Sequence, residues 1–289
     1  MTNDNSLINT LTDWLSAEGL STDYQLQALA GGDINETALL ITARGHRFCV
    51  KQNNQAPPDF FTAEAEGLRA IAASNTLRVP EVVFVAEQFI VLEYIAPRKR
   101  NANYWRMLGE GLAQLHSVVR PQFGFSMDNY CGLTPQPNPL IDDGHEFFRD
   151  QRILYQARMA FDRGLLNKQE LKTIERFTAR LSNLIPQQPA VLIHGDLWSG
   201  NIHSDENGDP VLIDPAAYQG WAEADIAMTL LFGGFADAFY HSYQAVNPLE
   251  SGWREKADIY NVYHLLNHLN LFGGGYHAQV MAIVKRYSG

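Results

Sequence analysis

The sequence has few cysteines, few clustered basic residues and no long hydrophobic run. Only Cys49 and Cys131 occur in 289 residues, which excludes a disulfide framework and favours a reducing compartment. The net charge is −10, and the only short basic cluster is residues 98–100, so a nucleic-acid backbone has little to bind. The start has no secretory signal, and no stretch approaches membrane-spanning length. We therefore expect a cytoplasmic monomer that binds neither nucleic acid nor membrane.

Two apolar runs that lead into polar side chains are the most informative feature. Residues 191–201 read VLIHGDLWSGN and residues 211–214 read VLID. In the protein-kinase catalytic loop, an Asp and an Asn at the spacing of Asp196 and Asn201 serve as proton acceptor and Mg²⁺ ligand, and a later Asp holds the same metal. Ordinary turns also use Asp and Asn, but two apolar strands are hard to explain by turn chemistry. The pattern predicts phosphoryl transfer, with Asp196 as base and with Asn201 and Asp214 as metal ligands.

The remaining chain predicts a two-lobed α+β protein with a kinase-like architecture. Residues 1–95 are strand-rich and form the expected nucleotide-binding lobe, whereas residues 96–289 are mainly helical and carry the catalytic strands. The predicted strands are 24–29, 37–42, 48–51, 82–85 and 89–94, and the predicted helices are 6–19, 61–73, 105–116, 147–161, 169–184, 226–232, 235–243 and 259–272.

A glycine loop between the first two strands is a candidate phosphate-binding element. Its residues are Gly31, Gly32, Asp33 and, one position beyond Ile34, Asn35. Gly-Gly-Asp is also an ordinary hairpin turn, so the loop alone is weak evidence. The catalytic strands downstream favour contact with ATP.

Lys51 ends an apolar strand, as the phosphate-pairing lysine of kinases does. Such a lysine needs a carboxylate to hold its flexible stem. Glu64 and Glu66 are both candidates, but Glu64 shares the inward helical face with Leu68 and Ile71. We therefore predict a Lys51–Glu64 ion pair, the alternative being two solvated surface charges.

The end of the last predicted strand of the first lobe is a candidate adenine-binding segment. Glu93, Tyr94 and Ile95 close the last strand of the first lobe, where kinases present main-chain groups to adenine; a plain strand end would look the same.

Three polar residues around the catalytic strands are assigned no reaction step. His194 looks buried and structural, and His116 is expected to be a buried, hydrogen-bonded histidine. Asp225 is either a helix N-cap or an acceptor that bonds the catalytic-loop backbone.

The segment 192–201, LIHGDLWSGN, resembles the fructosamine/ketosamine kinase family, a branch of the aminoglycoside-phosphotransferase-like group. Trp198 within this segment is typical of the ketosamine branch. Further resemblance to the family lies in the segments 31–35, 48–51, 61–64, 122–124, 147–153, 214–216 and 265–276. The resemblance implies ATP- and Mg²⁺-dependent phosphorylation of the sugar 3-hydroxyl of a ketosamine, on lysine or protein, and hence deglycation as protein repair. Ribulosamines are the expected substrates, with Trp198 lining the sugar side.

Three departures from the family pattern bear on substrate preference. The family often has tryptophans where this chain has Leu140 and Gly144, and an arginine where it has Ala222. We expect these stretches to border the acceptor pocket. The rival interpretations are a kinase of the same fold for an aminoglycoside, choline or an amino alcohol, and a nucleotide-binding pseudokinase.

Overall fold

The structure is a computed structural model that describes residues 2–29 and 34–289. It begins with a five-stranded antiparallel sheet in the order β1-β2-β3-β5-β4. Its strands are β1 (Tyr24–Ala28), β2 (Glu36–Thr42), β3 (Arg47–Gln52), β4 (Val82–Val85) and β5 (Phe89–Glu93). A mainly helical region follows, so the predicted α+β class is confirmed.

Two helices fix the position of this sheet. On α1 (Thr2–Ala17), Leu11 and Trp14 pack in one apolar cluster with Leu40 of β2. On the other helix, α2 (Phe60–Ala72), the buried face joins the larger core that extends through the helical region. Each fully buried large apolar side chain stabilises the fold by about 1.5–3 kcal/mol. This packing fixes β3, which carries Lys51, relative to α2, which carries Glu64.

The second part of the chain contains nine helices and seven short strands among the described residues. The helices are α3 (Tyr104–His116), α4 (Gly144–Phe147), α5 (Tyr155–Asp162), α6 (Lys168–Thr178), α7 (Leu181–Leu184), α8 (Ala222–Leu231), α9 (Asp237–Val246), α10 (Trp253–Phe272) and α11 (His277–Tyr287). The strands are β6 (Val119–Arg120), β7 (Asn129–Cys131), β8 (Thr134–Gln136), β9 (Ala190–Ile193), β10 (Ile202–Ser204), β11 (Pro210–Leu212) and β12 (Tyr218–Gly220). They pair as β12-β9-β6, β10-β11 and β7-β8, while α10 packs against α5, α8 and α11.

Several element bounds differ from the sequence predictions. Helix α10 starts six residues earlier than predicted. Its first turns are rich in charged residues, so they show no apolar periodicity, although Trp253 itself is buried. The predicted helix 147–161 contains a π-helical segment, Phe148–Leu154, and the predicted helix 169–184 divides into α6 and α7. Strands β6, β7, β8 and β12 escaped prediction because two or three residues carry no readable period.

Both thiols, Cys49 and Cys131, are free, as the sequence led us to expect. No helix within residues 2–29 and 34–289 combines the length and the apolar character that crossing a membrane requires.

Candidate active site

The catalytic loop leaves the fully buried strand β9 at His194. Gly195 adopts φ +82°, and a Cβ atom there would overlap the carbonyl oxygen of Ala216, so the turn requires glycine. The turn exposes the carboxylate of Asp196 to a cavity. Asn201 follows in a 3₁₀ turn, and its Nδ2 donates to the carbonyl of Asp196 at 2.8 Å and to Oδ2 at 3.0 Å. The five-residue spacing therefore joins these two side chains directly.

Buried polar groups hold this loop from below. Asp225 is 1% exposed and accepts the N–H of His194 at 2.6 Å and that of Gly195 at 2.8 Å. The buried His116 ring contacts the same carboxylate at 3.3 Å, and His194 Nε2 lies 2.9 Å from the carbonyl oxygen of Ile213. Helix α8 starts at Ala222, so Asp225 lies inside its first turn and is not the N-cap. The backbone-acceptor alternative for Asp225 is thus the correct one.

Their different neighbours give the carboxyl groups of Asp196 and Asp225 opposite charge preferences. Burial raises the pKa of Asp196 to about 7, and the nearby charges of Asp214 and Asp225 add to this rise against the Asn201 hydrogen bond. Burial alone would also raise the pKa of Asp225, but the hydrogen bond and charge of His116 bring it below its usual value. Asp225 is therefore a permanent anion, whereas Asp196 can exchange a proton near neutral pH, as a general base must.

Lys51, on strand β3, forms ion pairs with two carboxylates of the site, those of Glu64 and Asp214. Its Nζ lies 2.5 Å from Glu64 Oε1 and 2.8 Å from Asp214 Oδ1. Burial alone would lower the pKa of Lys51, but the charges of Asp214 and Glu64 raise it above its usual value, so the ammonium form persists. The predicted Lys51–Glu64 ion pair is present, whereas Glu66 pairs with Arg69 on the surface.

The residues predicted to hold Mg²⁺ have suitable donor atoms. Asn201 uses its amide nitrogen for both of its side-chain hydrogen bonds, which leaves the amide oxygen available. Asp214 follows β11 in a left-handed conformation, φ 54°, and its side chain is 43% exposed. Carboxylate and amide oxygens are the hard ligands that Mg²⁺ prefers. These two residues therefore fit a magnesium ion.

One cavity of about 930 Å³ is lined by Lys51, Glu64, Asp196, Asn201 and Asp214. Its nucleotide side includes Asn35, Lys51 and the strand end at Glu93, Tyr94 and Ile95. Gly31, Gly32 and Asp33, the other predicted ATP-binding residues, lie outside the described part of the chain. The N–H of Glu93 donates to Glu81 at 2.8 Å, so the main-chain groups of Tyr94 and Ile95 are the better candidates for adenine.

The other side of the cavity is aromatic. Trp198 packs edge-on against Phe232 at 5.8 Å between ring centroids, and His268 and Tyr276 continue the wall. The sequence assigned no role to Phe232, His268 or Tyr276. The sequence did contain a pattern that predicts the α10 part of this wall. His264, His268 and Phe272 recur every four residues and so share one face of the helix.

A salt-bridge cluster at the edge of the cavity also escaped prediction from the sequence. Arg78 pairs with Glu93 at 2.6 Å and with Asp205 at 2.8 Å, and its carbonyl accepts the N–H of Leu212 at 2.9 Å. It thereby connects the end of β5 to β11, the strand that leads to Asp214. Sequence spacing gives no indication of contacts between positions so far apart.

The expectation that the three departures border the acceptor pocket is wrong. Leu140, Gly144 and Ala222 are absent from the residues that line the cavity. Gly144 lies against Phe123 and Trp221, where an added Cβ atom would collide with both rings, and Leu140 is exposed on the surface.

The fold and the arrangement of Lys51, Asp196, Asn201 and Asp214 define a protein of the kinase-like phosphotransferase class. Comparison with known proteins narrows this class. The family model described as "Fructosamine kinase" matches residues 8–288, and the chain belongs to this family.

Individual relatives agree with this assignment. A "Probable ketoamine kinase" from Synechocystis is 40% identical over 265 residues, 90% of this chain and 89% of that protein. The chloroplastic "Protein-ribulosamine 3-kinase" of Arabidopsis thaliana is 35% identical over 96% of this chain and 87% of its own. A crystal structure described as "putative fructosamine-3-kinase" from Thermobifida fusca superposes with a TM-score of 0.84 at 31% identity, covering 91% of this chain and 93% of that chain. The resemblance found in the sequence is confirmed.

Proposed function

We propose that the protein is an ATP- and Mg²⁺-dependent ketosamine 3-kinase. It transfers the γ-phosphoryl group of ATP to the 3-hydroxyl of a sugar joined through nitrogen to lysine or to a protein. Ribulosamines are the preferred acceptors, as the name of the Arabidopsis relative suggests. Because the 3-phosphorylated sugar falls apart and frees the amine in this family, the biological result is deglycation.

The observation that carries the proposal is the joint position of Asp196 and Asn201 in the cavity that also contains Lys51 and Asp214. The Asp196 carboxylate accepts the proton of the sugar hydroxyl as its oxygen attacks the γ-phosphorus. Lys51, held by Glu64, pairs with the phosphate oxygens of the nucleotide. A Mg²⁺ ion held by Asn201 and Asp214 would neutralise charge on those phosphates.

We assign nucleotide binding to residues 1–95 and the catalytic and acceptor residues to residues 96–289. Adenine binds against Tyr94 and Ile95, and the phosphates lie beside Asn35 and Lys51. The sugar binds beside Trp198, where an aromatic face contacts the apolar side of its ring. The residues of each segment that line the cavity support this division.

The experiment is a comparison of acceptors. Turnover of ATP is measured with ribuloselysine, fructoselysine, kanamycin and choline at equal concentrations. We expect turnover with the two ketosamines, and a higher kcat/KM for ribuloselysine. Turnover with kanamycin or choline alone would show a different small-molecule kinase, and ATP binding without turnover of any acceptor would indicate a pseudokinase.

A further inference from the structure

Three elements bring a thiol, an imidazole and a carboxylate together next to the acceptor side of the cavity. Cys131 ends β7, His264 lies in the middle of α10, and Asp196 follows β9. One potential ligand atom from each residue lies within 4.8 Å of the other two. This cluster differs from the proposed magnesium ligands, Asn201 and Asp214, because it offers sulfur and nitrogen as well as oxygen.

The two residues that the reaction does not use are both deeply buried. Cys131 is 2% exposed and its Sγ accepts from Asn267 Nδ2 at 3.2 Å. His264 is 4% exposed, and its Nδ1 has no hydrogen-bond partner in the part of the chain that the structure describes. A buried polar nitrogen without a partner costs about 1–3 kcal/mol and calls for an explanation. A metal ion bound through Nδ1 would supply the missing partner.

We propose that Cys131, Asp196 and His264 form a binding site for a borderline-soft divalent cation, Zn²⁺, which inhibits the kinase. The mixed sulfur, nitrogen and oxygen set is the one that Zn²⁺ accepts, whereas Mg²⁺ prefers oxygen alone. Three protein ligands leave one coordination position, which a water molecule would fill. The thiol of Cys131 loses its proton to solvent as the Zn–S bond forms, and the protonated fraction of Asp196 loses its proton as well, so zinc binding releases more than one proton near neutral pH.

The separation of the donor atoms fits this site after a small adjustment. Bond lengths of about 2.0 Å to nitrogen or oxygen and about 2.3 Å to sulfur put neighbouring donors of a tetrahedron roughly 3.3–3.5 Å apart. The atoms of the cluster lie up to 4.8 Å apart, so the side chains must approach by up to about 1.5 Å. Asp196 is partly exposed where it lines the cavity, so its carboxylate can make part of this movement.

Zinc at this site occupies the carboxylate that must accept the hydroxyl proton. The inhibition rests on the proposed function, although zinc binding itself does not. We expect Zn²⁺ to compete with the ketosamine acceptor, which needs the same space beside Asp196, and not with ATP, which binds against Lys51 and Tyr94.

The direct test uses Co²⁺ as a spectroscopic probe of the metal-free, full-length protein without nucleotide. The wild-type protein should bind one Co²⁺ with the near-ultraviolet absorption band of a cobalt–thiolate bond, and Zn²⁺ should displace it. Binding without that band, or no binding at micromolar protein, overturns the proposal. This measurement needs no variant, so a substitution that impairs folding cannot obscure it.

Variants then identify the ligands. Cys131→Ser and His264→Gln should each weaken zinc binding by more than ~100-fold, because even residues that only support metal ligands contribute 10–100-fold. The matched controls Cys49→Ser, which removes the other thiol, and His241→Gln, on the surface, should retain the wild-type affinity. Unchanged affinity in Cys131→Ser, with folding verified by thermal unfolding, contradicts the proposal.

Kinetics separate this proposal from the proposed function. Initial rates are measured with ribuloselysine at free Zn²⁺ concentrations fixed by a metal buffer. Activity with inhibition that is competitive against the acceptor supports both proposals. Cobalt–thiolate binding in a protein inactive on ketosamines would refute only the function, and an active enzyme that zinc does not inhibit would refute only the inhibitory site.

Discussion

Replacing Glu64 by glutamine removes the charge that holds Lys51 while preserving side-chain volume. The side chains of Lys51 and Glu64 are 8% and 9% exposed, and their atoms lie 2.5 Å apart, so solvent screens this pair little. A hydrogen bond to a charged group contributes about 1.5–3 kcal/mol, of which a neutral amide retains a part. Lys51 would then be drawn to Asp214, already 2.8 Å away, and would compete with the metal for its oxygen. We expect kcat/KM for ATP to fall ~10–100-fold.

The assay is steady-state turnover with ATP varied at saturating ribuloselysine, together with the thermal shift caused by Mg²⁺-ATP. Glu66→Gln is the matched control, because Glu66 lies two residues away on α2 and pairs only with Arg69 at the surface. The control should match the wild type within about twofold, since exposed pairs contribute roughly 0–1 kcal/mol. Equal kinetics in the two variants would refute the role assigned to the Lys51–Glu64 pair.

Three further predictions follow from buried groups. Asp225→Asn should lower the free energy of unfolding by about 1–3 kcal/mol, because one loop N–H loses its acceptor; a melting temperature equal to that of Asp237→Asn, in the exposed first turn of α9, would contradict this. Below about pH 7, kcat/KM should fall about tenfold per pH unit as Asp196 becomes protonated, and a flat profile down to about pH 5 would oppose that assignment. Burial, reinforced by the His268 ring, lowers the pKa of His264 to about 3, so only the unfolded chain takes up this proton near pH 6.5. Stability should therefore decrease from pH 7 to 5 by about 2 kcal/mol in denaturant unfolding, and by less in His264→Gln.

Local spacing made the centre of the site predictable. Asp196 and Asn201 are five residues apart, and one tight turn is enough to bring them into contact. Helical phase likewise distinguished Glu64 from Glu66, because only one of them can share the inward face with Leu68. The roles of these residues in binding ATP, metal and sugar stay predictions, as do the lobe boundary at residue 95, the cytoplasmic location and the monomeric state.

Contacts between distant segments were beyond the sequence pattern. Cys131 and His264 lie in elements separated by more than a hundred residues, and β7 is too short to show a strand period. The positions of Leu140 and Gly144 were misjudged for the same reason, since a resemblance in sequence does not tell which wall a loop covers. Arg78 was missed because its partners Glu93 and Asp205 come from separate strand ends.

The central claim is that the Asp196 carboxylate accepts the proton of a ketosamine 3-hydroxyl. The most direct measurement is phosphorus NMR of ribuloselysine incubated with Mg²⁺-ATP and either the wild-type protein or Asp196→Asn. We predict a sugar 3-phosphate with the wild type, and formation at least ~10²-fold slower with the variant, which should still bind Mg²⁺-ATP by thermal shift. Sugar phosphate formed at the same rate by both proteins would contradict the account.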